Sequence, residues 1–268
     1  MGDTAFTGSI PDLYQRHLAP LLFQPWANIL AARAIELRPK RVLETAAGTG
    51  VLTAAMIHAC PHCEIVATDL NPSMLDIART TAPSGAQVSF MAADACRLPF
   101  DADSFDVVVS QFGMMFYPDK VRGFAEAARV LVPGGTYLAL VWGGLDENLV
   151  SETVQHALNR TFPVDPPRFL ARTPFGYHDA ERIFEDARAA GFDLVSVERL
   201  TLPHPRVSAD SAAEGLIYGT PLLAELEAIG ADAPATALAA VRTEMESVSD
   251  EEGRIVSTMT ALLISARH

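Results

Sequence analysis

The chain has 268 residues, 49% of them hydrophobic and 20% charged, with a mean hydropathy of +0.18, so it is too apolar for disorder and long enough for a substantial core. Lys and Arg number 20 against 33 Asp and Glu, giving a net charge of −13 without any basic run, which argues against a nucleic-acid backbone as partner. The longest apolar stretches, such as residues 107–109 and 138–141, fall well short of the roughly 18 residues that span a bilayer, and the N-terminus shows no basic-then-apolar secretory pattern, so no membrane span and a cytoplasmic location are expected.

In chain order, residues 25–37 place Trp26, Ile29, Leu30, Arg33, Ala34 and Leu37 at helical spacing, which predicts a lead-in helix starting at Pro25. From residue 41 to 142, short β-branched runs alternate with amphipathic stretches. Strands are predicted at 41–45, 64–68, 87–91, 105–110 and 136–142, and helices at 50–59, 72–81 and 119–131. Asn71 caps the second of these helices, and Pro133-Gly134-Gly135 is expected to stop the third. A helix at 179–190 closed by Gly191, a strand at 193–202 and a final strand at 255–266 complete the pattern. This alternation predicts a doubly wound α/β fold. Residues 143–177 and 203–253 fit neither pattern and are expected to form lid or substrate insertions on a single domain spanning 1–268.

Cys60, Cys63 and Cys96 are an odd number in a long chain, which does not suggest a disulfide framework and favours a reducing compartment. Cys60-Pro61-His62-Cys63 matches the C-x-x-C spacing of thiol–disulfide oxidoreductases, whose first cysteine opens a helix. Here the apolar series Val51, Leu52, Ala55, Met56, Ala59 runs out at Pro61, so the pair closes a helix instead, and redox catalysis is set aside. A zinc site is set aside too, for want of a second ligand pair, and no metal ligand is named.

The segment from Val42 to Gly50 is a strand ending in Glu44 that enters a small-residue turn, Thr45-Ala46-Ala47-Gly48-Thr49-Gly50, before a helix. Such a turn lets a ligand approach the backbone, at the carboxyl end of a parallel strand where ligands of α/β sheets bind. Dinucleotide folds use a similar turn, but a third glycine is missing here, since Thr53 follows. Asp69 ends the second strand, 25 residues beyond Glu44, where a carboxylate can accept from a ribose diol. Asp94 follows the third strand, where it can accept from an adenine amine. Each alone could be a solvated loop residue or a cap; three acids at the ends of three consecutive strands are harder to explain that way.

With these residues, the sequence resembles a class I S-adenosylmethionine-dependent methyltransferase of the small-molecule group that includes the ubiquinone/menaquinone-biosynthesis C-methyltransferases. The resemblance covers most of residues 35–142. It rests on Glu44 through Gly50, Ala67 through Leu75, Asp94-Ala95 with Leu98-Pro99-Phe100, Ser104 through Val108, and Arg129 through Gly135. It implies a Rossmann-like, seven-stranded, mostly parallel sheet whose last strand is antiparallel. It also implies that Glu44, Ala46 and Gly48 flank the methionine part of the cofactor, with Gly50 in the same cofactor-binding turn unless helix packing explains it, that Asp69 holds the ribose, and that Leu70 and Met74 sandwich the adenine. Asp94 and the Ala95 amide would read the adenine edge, and the backbone near Ser110 and Gln111 would meet the amino-acid end. Ala46 departs from the family, which usually has glycine there.

Enzymes methylating adenine or glutamine carry an Asn/Asp-Pro-Pro-aromatic segment after the fourth strand; Ser110-Gln111-Phe112-Gly113 stands there instead. Asp165-Pro166-Pro167-Arg168 lies in the wrong segment and reads as a lid turn, and the Pro-Cys nucleophile of cytosine enzymes is missing. A small, partly apolar methyl acceptor is therefore expected, with transfer by in-line displacement and S-adenosyl-L-homocysteine as product. Tyr14, His17, His178 and Tyr218 are candidates for a base or orienting group, each with packing as the plainer explanation. Phe112, Met114, Met115, Phe116 and Trp142 could form an apolar acceptor wall or simply core. A homodimer stays open, as do two other functions: a NAD(P)-dependent oxidoreductase and a non-catalytic methyltransferase-like binding protein.

Overall fold

The computed structural model describes residues 3–4, 6 and 8–267. Its strands are β1 (Arg41–Glu44), β2 (Glu64–Asp69), β3 (Val88–Ala92), β4 (Phe105–Gln111), β5 (Leu131–Trp142), β6 (Leu194–Pro203) and β7 (Thr258–Arg267). Among the described residues they form one seven-stranded sheet in the order β3-β2-β1-β4-β5-β7-β6, parallel except for the last strand, as expected. Val42 and Leu43 of β1 pair with Ile65 and Val66 on one side and with Val107 and Val108 on the other. All six are nearly or fully buried, because crossover helices cover both faces of a parallel sheet and leave no strand face for water.

The helices are α1 (Ile10–Leu13), a π-helix (Tyr14–Phe23), α2 (Gln24–Glu36), α3 (Val51–Ala59), α4 (Pro72–Thr81), α5 (Lys120–Val130), α6 (Leu149–Thr161), α7 (Phe169–Arg172), α8 (Ala180–Ala189), α9 (Ala209–Tyr218), α10 (Leu222–Ile229) and α11 (Ala233–Met245). Most of the core elements start and stop within a residue or two of their sequence signals. The Asp119 carboxylate accepts from the Arg122 amide at the start of α5, and the Asp179 carboxylate accepts from the Glu181 amide at the start of α8. Asn71 does precede α4, but its side chain makes no cap; its amide donates to Asp69 instead.

Two differences from the sequence expectation have clear causes. Pro133-Gly134-Gly135 does not stop the helix, which ends at Val130; these residues lie inside β5. Phe105 pairs with Leu131 and Val107 with Thr136, so residues 132–135 loop out as an irregularity that proline and two glycines tolerate. The second is the π-helix ahead of α2. Pro20 lies within it, and proline can neither donate an amide nor fit beneath the carbonyl four residues earlier, so the turns are widened.

The chain forms two compact units. The sheet unit comprises Trp26–Val141, Tyr177–Leu200 and Ala261–His268. In it α3 packs on α4, and α5 on α8, while Trp26 of α2 meets Phe112 edge to face at 6.1 Å. The second unit joins Met1–Pro25 to Trp142–Gly176 and Thr201–Thr260. Here α11 packs on α6 and α9, and α9 packs on the π-helix. The small side of Gly215 admits His17, since a Cβ at that position would lie 2.7 Å from the His17 Cβ. The Asn148 side chain spans two backbones, donating to the Gly144 carbonyl and accepting from the Thr260 amide.

Candidate cofactor site

The carboxyl ends of β1 to β4 are joined by a network that begins with Glu44. It is 1% exposed, and its Oε2 accepts from the Thr53 hydroxyl at 2.6 Å. Burial, reinforced by the nearby Asp69 charge, pushes this carboxyl up to about 8. The turn that follows alternates left-handed residues, Ala46 at φ 53°, Gly48 at 57° and Gly50 at 84°. Ala46 therefore occupies a conformation suited to glycine, and its methyl fits only because residue 113 is glycine: a Cβ there would lie 2.3 Å from the Ala46 Cβ. Gly50 has a packing role, because its Cβ would lie 2.9 Å from that of Ala78 in α4.

Asp69 locks the turn onto β2. One carboxylate oxygen accepts from the Gly48 amide and the other from the Asn71 amide, each at 2.8 Å. Burial raises its pKa while these amide donors oppose the rise. Oδ1 also accepts from the Asn71 side-chain amide at 3.4 Å, whereas Oδ2, which holds the Gly48 amide, keeps the more acceptor capacity. Leu70, next in sequence, is 55% exposed and offers an open apolar face, whereas Met74 is buried beneath Gly48, its Cε 3.6 Å from where a Cβ would stand. Just past the end of β3 the Ala93 amide donates to the Asp69 carbonyl, and Asp94 is exposed, accepting from the Cys96 amide at 2.8 Å. The loop carrying Asp94 and Ala95 is fixed from below. Glu126 accepts from the Leu98 amide, and Arg129 donates to the Leu98 and Phe100 carbonyls and to Glu126.

The fold thus gathers Glu44, Ala46, Gly48, Gly50, Asp69, Leu70, Met74, Asp94 and Ala95 around one end of three adjacent strands. Ser110 and Gln111 end the neighbouring β4. Sequence reading missed the support behind Ser110. The Tyr117 hydroxyl donates to Thr45 Oγ1 at 3.1 Å and lies 3.3 Å from Ser110 Oγ, which also bonds Tyr137. All four hydroxyl residues are buried, and burial pushes the Tyr117 phenol up to about 12. No local sequence signal marks this chain, whose members lie on β4, β5 and the turns after β1 and β4.

Of the acceptor-side candidates, Tyr14, His17 and Tyr218 lie in the second unit and His178 in the sheet unit. Tyr14 stacks on Phe23 with centroids 4.9 Å apart, and His17 Nδ1 lies 2.7 Å from the Ser211 hydroxyl. His178 is exposed just before α8. Within the suggested apolar wall, Phe112, Met114 and Met115 are buried as core, as is Trp142 in the second unit.

The polar groups of the turn suit S-adenosylmethionine. Thr49 is 1% exposed, yet its Oγ1 is buried with no hydrogen-bond partner, directly between Gly48 and Gly50. An orphaned hydroxyl, spare acceptor capacity on Asp69 and the exposed Leu70 face are what a ribose and adenine would use.

Comparison with known proteins agrees. Residues 42–135 match a family described as a methyltransferase domain. The chain is 34% identical over 193 residues to a demethylmenaquinone methyltransferase of Deinococcus radiodurans, covering 68% of this chain and 79% of that one. It is 33% identical to a ubiquinone/menaquinone biosynthesis C-methyltransferase of Bordetella parapertussis, over 67% of this chain and 74% of that protein. Among solved structures, the YcgJ protein of Bacillus subtilis superposes with a TM-score of 0.59 at 20% identity, covering 90% of this chain and 99% of the other, a likeness of fold.

Proposed function

Because the chain belongs to the S-adenosylmethionine-dependent methyltransferase family that includes the demethylmenaquinone and ubiquinone/menaquinone C-methyltransferases, we propose that its small, partly apolar acceptor is of the quinone type. When bound, S-adenosylmethionine supplies a methyl group already activated by its sulfonium charge. The protein's part is to align the acceptor in line with that methyl, to exclude water and to provide for the proton that a quinol ring carbon sheds on methylation.

In this proposal Asp69 accepts from the ribose diol with the capacity its amide bonds leave, Leu70 and Met74 flank the adenine, and Asp94 with the Ala95 amide reads its edge. Glu44, Ala46 and Gly48 border the methionine part, Gly50 completes the turn, and the Ser110–Gln111 backbone meets the amino-acid end. The product is S-adenosyl-L-homocysteine. Tyr14, His17, His178 and Tyr218 are kept as candidates for a base or orienting group. A cytoplasmic location belongs to the same proposal; among the described residues no helix is long and apolar enough to cross a membrane. The nicotinamide alternative falls away with the family, and no observation favours a non-catalytic role.

The similarity to the quinone-biosynthesis relatives carries the acceptor class, and the Asp69 carboxylate, which joins the glycine turn to β2 through Gly48, carries the cofactor placement. Incubating the enzyme with S-adenosylmethionine and reduced demethylated quinones of varied tail length tests the acceptor class by mass spectrometry. Expected is an acceptor gain of one methyl with matching S-adenosylhomocysteine. Turnover of other small apolar acceptors but of no quinol would overturn the quinone assignment.

A further inference from the structure

The turn between α3 and β2 takes no part in the reaction above. Cys60 caps the end of α3, and Cys63 directly precedes β2; their sulfurs are joined as a disulfide, and the residues are 4% and 1% exposed. Between them His62 is exposed, with Nε2 3.6 Å from Cys60 Sγ. The two sulfurs and an imidazole nitrogen all lie within 4.8 Å of one another. In a tetrahedral zinc site, with Zn–S near 2.3 Å and Zn–N near 2.0–2.1 Å, neighbouring sulfur and nitrogen ligands stand about 3.6 Å apart. The Cys60–His62 separation already matches such an edge.

We propose that in its reduced form the Cys60-Pro61-His62-Cys63 turn is a zinc site, with two thiolates and the His62 imidazole as ligands and a solvent molecule in the fourth position. The backbone is compact enough for both sulfurs to reach one ion: the cysteine Cα atoms are 5.4 Å apart, and the Cys63 amide donates to the Cys60 carbonyl. The end of α3 supplies a second argument. The carboxyl end of a helix carries partial negative charge from its unsatisfied carbonyls, which discourages a free thiolate but favours a bound cation. The placement that removes this motif from redox catalysis therefore suits a metal. Exposure of His62 leaves one side open for entry.

Zinc binding and the disulfide exclude each other, since both use the same sulfurs. Binding involves no redox change: Zn2+ replaces the two thiol protons, which pass to solvent, and His62 binds neutral. Cys63 Sγ lies 3.1 Å from the Pro39 carbonyl, an acceptor for its proton until the metal displaces it.

The test is competition of the full-length, chemically reduced protein with a chromophoric chelator for Zn2+, supported by the visible spectrum of the Co2+ form. Expected are one zinc per chain, an intense tetrahedral Co2+ spectrum with sulfur-to-metal charge transfer, and loss of both on oxidation with diamide or in the Cys60→Ser/Cys63→Ser variant. His62→Ala, at an exposed position that leaves the fold intact, should weaken zinc binding by about tenfold or more. S-adenosylhomocysteine binding should not change in His62→Ala. Zinc uptake by reduced wild type no greater than by the double serine variant, or equal affinity in His62→Ala, would overturn the assignment.

Discussion

Glu44 is a buried acid whose carboxyl is lifted from an ordinary 4.5 to about 8, chiefly by burial. The folded protein therefore holds a proton that the unfolded chain releases above about pH 4.5. The contribution of Glu44 to stability therefore falls as pH rises from there to about 8 and then levels off, because ionising it in place costs on the order of a few kcal/mol, while buried His204, lowered to about 4, works the other way up to about pH 6.5. Glu44→Gln keeps a partner for Thr53 but removes the ionisation. Urea unfolding at a series of pH values should show the variant gaining on wild type between pH 5 and 8; parallel curves would contradict the burial argument. Ala46 and Gly113 make a second case. Gly113→Ala should destabilise by about 1–3 kcal/mol through the clash with the Ala46 methyl, and Ala46→Gly in the same chain should recover part of that loss. Simple additivity in the double-mutant cycle would contradict the contact. The acids at strand ends were legible because turn chemistry and position mark them. The clash partner of Ala46 was not, since Gly113 comes from a separate strand end.

At the scale of elements, the hydroxyl chain shows what period and propensity leave out. Tyr117 and Thr45 are 72 residues apart in sequence and meet only because β1 and β4 are neighbours in the sheet. Tyr117→Phe leaves buried hydroxyls short of a partner. It should cost about 1–2 kcal/mol in unfolding free energy, measurable by urea denaturation, and an unchanged midpoint would show that the hydroxyl contributes nothing net. Strands and helices of the core were legible because buried parallel strands and amphipathic helices write different periods into the sequence. Pro133-Gly134-Gly135 misled because the same residues that end a helix also tolerate an irregular strand. The π-helix was missed although Tyr14, Leu18, Leu21 and Leu22 stand at helical spacing, because Pro20 in its middle reads as a break rather than a widened turn.

At the scale of the whole molecule, residues 41–142 supply the first five strands of the sheet and the turn that Asp69 fastens, and the −13 charge agrees with a small-molecule enzyme. The second unit includes Trp142–Gly176 and Thr201–Thr260. The N-terminal segment belongs to that unit as well, which no local signal could reveal, because its partner α9 lies about 200 residues away. The central claim is that the ends of β1, β2 and β3 bind S-adenosylmethionine through Asp69. Isothermal calorimetry with S-adenosylhomocysteine tests it most directly. Wild type should bind one molecule per chain, NAD should not compete, and Asp69→Ala should lose about 1–3 kcal/mol of binding free energy while remaining folded. Absence of binding to wild type at high micromolar ligand, or an unchanged affinity in a folded Asp69→Ala variant, would contradict it.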